Sequence, residues 1–331
     1  MNIPSPRLLR FMAGAIAVTT LAAAAFAQVP NSTWVRLNPM HSPPQRAGCA
    51  MAYDPVSQKI VMFGGYGPTN DYGDTWTFDG TDWQKQTTSV APSPRASASM
   101  AYDATIQKLV LFGGYNGQNN LGDTWMWDGA TSSWTQMSPS TTPPPMTGAM
   151  LFPDPRSKRV DNFGGYDGRL YGLTTWRWHN GRWHKLHPAE SPSARGWAVF
   201  ATDPVRKQTV LFGGLADINP VNTWTYDGLT WTRQFPDHQI PYRAFSGATY
   251  DPRFQGIVVF GGFSGADVND TWLWTGSDWM QLTPAGSPAI RESLGIAFDE
   301  AHQQTVIFGG QSLTSLFGVT LLHDTWVLHT N

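Results

Sequence analysis

The chain has 331 residues, of which 41% are apolar and only 14% charged, with 33 Gly, 25 Pro and 16 Trp and a formal charge of −2. The apolar share excludes a disordered polymer and the length excludes a disulfide-stapled miniprotein. The near-neutral charge, with no Lys/Arg run, excludes an electrostatic grip on nucleic acid or on a membrane surface. Glu190, Glu292 and Glu300 are the only glutamates, so short strands joined by Gly/Pro turns are expected rather than a helical bundle or an ordinary α/β enzyme.

Residues 1–27 read as a signal peptide. Arg7 and Arg10 form a positive start, Phe11 to Phe26 is an apolar, Ala-rich run, and Ala25-Phe26-Ala27 places small residues for cleavage before Gln28. The run is shorter than the roughly 20 residues that a membrane span needs. No other segment could span, so the mature chain is expected to be secreted or periplasmic. Cys49 is the only cysteine. It can form no internal disulfide and reads as a small buried hydrophobe.

After a short strand-like segment, Thr33-Trp34-Val35-Arg36-Leu37, one motif is written six times. Gly-Gly doublets stand at 64–65, 113–114, 164–165, 213–214, 261–262 and 309–310, in steps of 49, 51, 49, 48 and 48. Each ends an apolar run such as KIVMFGG or QTVIFGG and is followed by a Thr-Trp pair carrying Trp76, Trp125, Trp176, Trp224, Trp272 or Trp326. A second Trp follows at 83, 134, 183, 231 and 279. Each unit therefore reads as four strands, with Asp-Pro and Asp-Gly turns between them. The sixth unit lacks its fourth strand, and Trp34 lies one period before Trp83. The N-terminal segment is thus predicted to complete the last sheet, because an unpaired edge strand is a liability.

This pattern resembles the kelch repeat in its doublet, aromatic spacing, second Trp and roughly 50-residue period. The resemblance implies an all-β, six-bladed kelch β-propeller over 31–331, its last blade closed by the N-terminal strand. It further implies that the first strand of each blade lines a central channel. The loops after Gly-Gly and the loops between blades would then open on one face, the face that commonly binds ligands.

Carried over by position, the inter-blade loops end at Arg46, Arg95, Met146, Arg195, Arg243 and Arg291, and the post-doublet loops begin with Tyr66, Tyr115, Tyr166, Leu215, Phe263 and Gln311. Guanidiniums interleaved with aromatics would suit an anionic or sugar-like ligand; the same residues would alternatively cap carbonyls and brace neighbouring blades. Trp197 and Phe245 replace small residues on adjacent blades and could form a stacking platform, while Glu292 is the one carboxylate beside the arginines. The expectation is a monomeric binding or interaction module for carbohydrate or protein, with no nucleic-acid partner, no cofactor and no metal. The alternative is a sugar-isomerising enzyme resembling kelch-type sialic acid mutarotases, with Arg291 and Glu292 as the nearest analogue of a catalytic pair. The apolar stretch from Gln311 to His323 would cover the channel or meet a partner.

Overall fold

The computed structural model describes residues 30–216, 220–314 and 318–330; the predicted signal peptide lies outside them. No helix occurs among the described residues, and so none is long and apolar enough to cross a membrane. Six four-stranded antiparallel sheets form the six blades of a propeller. Blade one shows the pattern. Its inner strand is Ala50–Asp54, followed outward by Lys59–Phe63, Thr75–Phe78 and Trp83–Gln86. The inner strand starts at one channel mouth and ends at the opposite one. The post-doublet and inter-blade loops therefore share the first face, and the tight turns share the second. Buried Asp54 accepts the Val56 amide at 3.1 Å to hold the first of those turns.

Blade six is assembled from both ends of the chain. Gly295–Asp299, Gln304–Phe308 and Thr325–Thr330 are completed by Ser32–Leu37, with Trp34 opposite Leu328. The predicted closure is therefore the observed one.

The hydrophobic core is six seams, each built from two neighbouring blades. In one, Val61 and Phe63 of blade one meet Met100, Leu109, Leu111, Trp127 and Trp134 of blade two. The second Trp of each unit is the bolt of its seam. Trp83, Trp134, Trp183, Trp231, Trp279 and Trp34 donate their indole N–H across the seam to Thr325, Thr75, Thr124, Thr175, Thr223 and Thr271, at 2.8–3.1 Å. Each acceptor is the Thr of a Thr-Trp pair, which explains that dipeptide. Burying one such ring contributes roughly 4–6 kcal/mol from its area alone, and the hydrogen bond spares the buried N–H a desolvation penalty.

The doublets are needed for a different reason. A Cβ on the first glycine would strike the carbonyl oxygen of the next blade at 2.1–2.6 Å all round the ring, from Gly64 on Arg95 to Gly309 on Arg46. The second glycine donates its N–H to that same carbonyl, as Gly65 does to Arg95 at 2.8 Å. A side chain there would push two blades apart.

Two departures from sixfold repetition stand out. In blade three, Asp161 occupies the place of Val61 and pairs bidentately with Arg177 at 2.7 and 2.8 Å, while Arg177 also reaches Asp154 at 2.8 Å. Burial and, secondarily, the neighbouring Asp154 push the Asp161 carboxyl up to about 7, against the pull of Arg177. In blade six, the long post-doublet loop forms its own hairpin, Gln311–Thr314 with Gly318–Leu321, on which Leu313 and Val319 are exposed.

Candidate functional site

Of the two roles open to the arginines, ligand binding and bracing, the structure supports bracing. Arg46, Arg95, Arg195, Arg243 and Arg291 are all at most 1% exposed. Arg46 donates to the Pro44 and Gly64 carbonyls at 3.1 and 3.0 Å and to both oxygens of Asp74 at 2.6 and 3.0 Å. Arg95 with Asp123 and Arg291 with Asp324 repeat this bracket, and Arg243 makes a single contact with Asp270. Burial works against the acids, but the hydrogen bond and charge of the partnering arginine outweigh it and hold Asp74, Asp123 and Asp324 below the usual carboxylate range. The same acids accept the indole N–H of Trp76, Trp125 and Trp326 at 2.7–2.8 Å. Bound to carbonyls and acids of their own blades, Arg46, Arg95 and Arg291 brace the propeller, whereas Arg243 is equally buried but keeps its Nε and Nη1 without a partner among the described residues. Arg291 directs its fork to Asp324, and Glu292 forms no ion pair with it or with another arginine among the described residues.

Blade four lacks the acid. Arg195 meets Asn222 at 3.3 Å through two of its nitrogens, and burial lowers its guanidinium to about 10. Blade three replaces both partners, with Met146 and Thr174 in their places.

Two residues beyond each brace, the mouth is closed by a belt of backbone hydrogen bonds. The N–H groups of Gly48, Ser97, Gly148, Trp197, Phe245 and Ser293 each donate to the carbonyl of the corresponding residue in the preceding blade, at 2.7–3.1 Å, and Gly48 closes the circle onto Ser293. All six have φ between 50° and 65°. Glycine accepts this conformation freely, while Trp197 and Phe245 pay about 1–2 kcal/mol each. Their rings lie 5.5 Å apart, and Tyr166 lies 6.4 Å from Trp197. Below them runs a channel of about 880 Å³ lined mainly by small and apolar residues of the inner strands, among them Ala98, Met150 and Ile296. Of the predicted site residues, Trp197 and Phe245 line it. Half-buried Cys49 also lines it, its thiol raised to about 11 chiefly by burial and therefore protonated and unreactive at neutral pH.

The remaining predicted residues sit on the loops around that mouth. Tyr66, Tyr115, Tyr166 and Phe263 each bridge back to the start of their own blade, and Tyr115 is exposed at 41%. Tyr66 donates its hydroxyl to Gln311 Oε1, and Gln311 Nε2 donates to Glu292 at 2.5 Å. Asp267 accepts the Leu313 amide at 2.5 Å and so anchors the hairpin. Burial pushes Glu292 and Asp267 above the usual carboxylate range.

The family model described as the KLHDC2/KLHL20/DRC7 Kelch-repeats domain matches residues 19–214, more than half of the chain. The chain belongs to the kelch-repeat family. No curated protein matches it. Kelch propellers generally act as protein-interaction modules, and in this one the loop-bearing face is the candidate interface. What sequence reasoning missed in this kelch propeller is the acid of the brace. Its signal stands in the sequence as Asp-Thr-Trp at 74–76, 123–125, 270–272 and 324–326. Asp267 carries no comparable periodic signal, because its role comes from the hairpin of the next blade.

Proposed function

We propose that this protein is an exported interaction propeller that docks a partner protein on the face bearing the post-doublet and inter-blade loops. Export rests on the charged start, apolar run and small-residue cleavage site of residues 1–27. The observation that carries the docking face is a one-sided distribution of apolar side chains. Among the described residues, nine of the fourteen exposed large hydrophobics lie on these loops, from Met40 at 87% to Tyr115 at 41% exposed. Four lie on the opposite turns: Val56, Ile106, Val205 and Leu229. Leu170, Leu173 and Val221 sit on the adjacent post-doublet loops of blades three and four. Exposed apolar side chains concentrated on one face are what a protein interface buries.

The reading is tested with a photo-crosslinking residue at Leu173 or Val221 and, as controls, at Val205 or Leu229, in the organism that makes the protein. Protein adducts are expected from the first pair alone. Adducts from the opposite face, or from neither face, would overturn the reading.

A further inference from the structure

Electrostatics at the mouth run opposite to what the arginines promised in the sequence. The guanidiniums are buried in their braces, and two buried carboxylates are left without a cation among the described residues. Asp267 and Glu292 are 7% and 5% exposed, and neither belongs to an ion pair among the described residues. Buried Asp54 and Asp103 also lack a cation, but amide and hydroxyl donors of their own turns satisfy them. Asp267 differs: its Oδ2 takes the Leu313 amide, while its Oδ1 is buried and has no donor among the described residues.

Among the described residues, the one side-chain donor on Glu292 is the Gln311 amide, whose own oxygen is in turn held by Tyr66. Asp267 lies near enough for its charge to act on Glu292, and both acids act on Tyr66. Two acceptor-only groups and a phenol thus converge beneath the hairpin, with a neutral amide standing where a stronger donor would fit. Beside them, from blade five round to blade three, stand the half-buried rings of Phe245, Trp197 and Tyr166, the Phe245 carbonyl accepting the Ser293 amide at 2.8 Å.

We propose that this corner of the mouth takes the ammonium or guanidinium of a lysine or arginine on a basic segment of the partner. The proposal rests on the docking face argued above and names the chemistry of what docks there. The incoming cation displaces the Gln311 amide and donates to Glu292 and to the empty Asp267 Oδ1, making the charge-assisted bonds that both acids lack. The apolar stem of the same side chain, or a neighbouring one, lies on the Trp197 and Phe245 rings, whose faces attract cations. An acidic segment would meet two desolvated carboxylates and no available guanidinium.

Titration calorimetry with acetylated, amidated hexa-arginine, hexa-lysine and hexaglutamate tests this at low and high salt. The cationic peptides are expected to bind, more weakly as salt rises, and hexaglutamate is not. Asp267→Asn and Glu292→Gln, both isosteric, should each weaken cationic binding by about tenfold or more. Gln311→Ala should leave it as tight or tighter, since the displaced amide is gone. Glu300→Gln, at the opposite mouth, should change nothing. Preference for hexaglutamate, binding of neither peptide class, or cationic binding indifferent to the Asp267 and Glu292 substitutions would overturn the proposal. Crosslinked partners at Leu173 that are equally indifferent to those substitutions would leave the docking face standing and remove only its cationic pocket.

Discussion

Single residues decide how well each brace is satisfied, and blade four shows one left incomplete. Arg195 is as buried as its counterparts but faces an amide at 3.3 Å where they face a carboxylate at 2.5–3.0 Å. Asn222→Asp should complete the bracket, because the acid is accommodated in the same place in blades one, two and six. A buried hydrogen bond to a charged group contributes roughly 1.5–3 kcal/mol, so the urea unfolding free energy of the variant should rise by that order; no rise would mean that the site is already compensated. Asp161 acts in the other direction. Its folded value near 7 lies above the ordinary 3.8 of an aspartate, chiefly through burial. The folded state therefore holds its proton more tightly than the unfolded state does. Stability from this group is fully present below about pH 4 and is lost as pH rises towards 7. Unfolding midpoints measured across that window should fall with pH in the wild type, and less steeply in Asp161→Asn. Equal slopes would contradict the assignment.

At the scale of strands, Ser32–Leu37 has more to hold than its six residues suggest. It gives blade six its outer edge and gives the seam with blade five its bolt, through Trp34 to Thr271 at 3.1 Å. Deleting residues 30–38 removes a buried Trp, which alone costs about 3–5 kcal/mol, and exposes the Thr325–Thr330 edge to pairing between molecules. A large drop in melting temperature with aggregation on light scattering is expected, and an unchanged melt would refute this role. The strand was legible because its Trp keeps the period of the others. The blades were legible for the same reason: every repeat carries the same doublet and the same two Trp. The site was not. Arg46 and its counterparts recur in five of the six blades, almost as regularly as the glycines, and regularity marks what builds the blades rather than what binds a ligand. Trp197 and Phe245, which break the repeat, do line the channel. Glu292 also breaks it, yet its neighbours Asp267 and Tyr66 come from other blades, a proximity that no spacing along one repeat encodes.

At the scale of the whole molecule, the amide belt from Gly48 round to Ser293 and back is a hoop of fixed circumference. Each blade contributes one link, and each link is a backbone bond held by a left-handed residue, so the opening cannot widen without breaking a bond that its neighbours depend on. Such an aperture does not breathe to admit a guest. Its calibre is set by the number of blades and its lining by the six side chains hung on the hoop, four of them Gly or Ser and two of them large rings. A lineage can therefore retune what enters by changing those six side chains one at a time, with the architecture around them untouched.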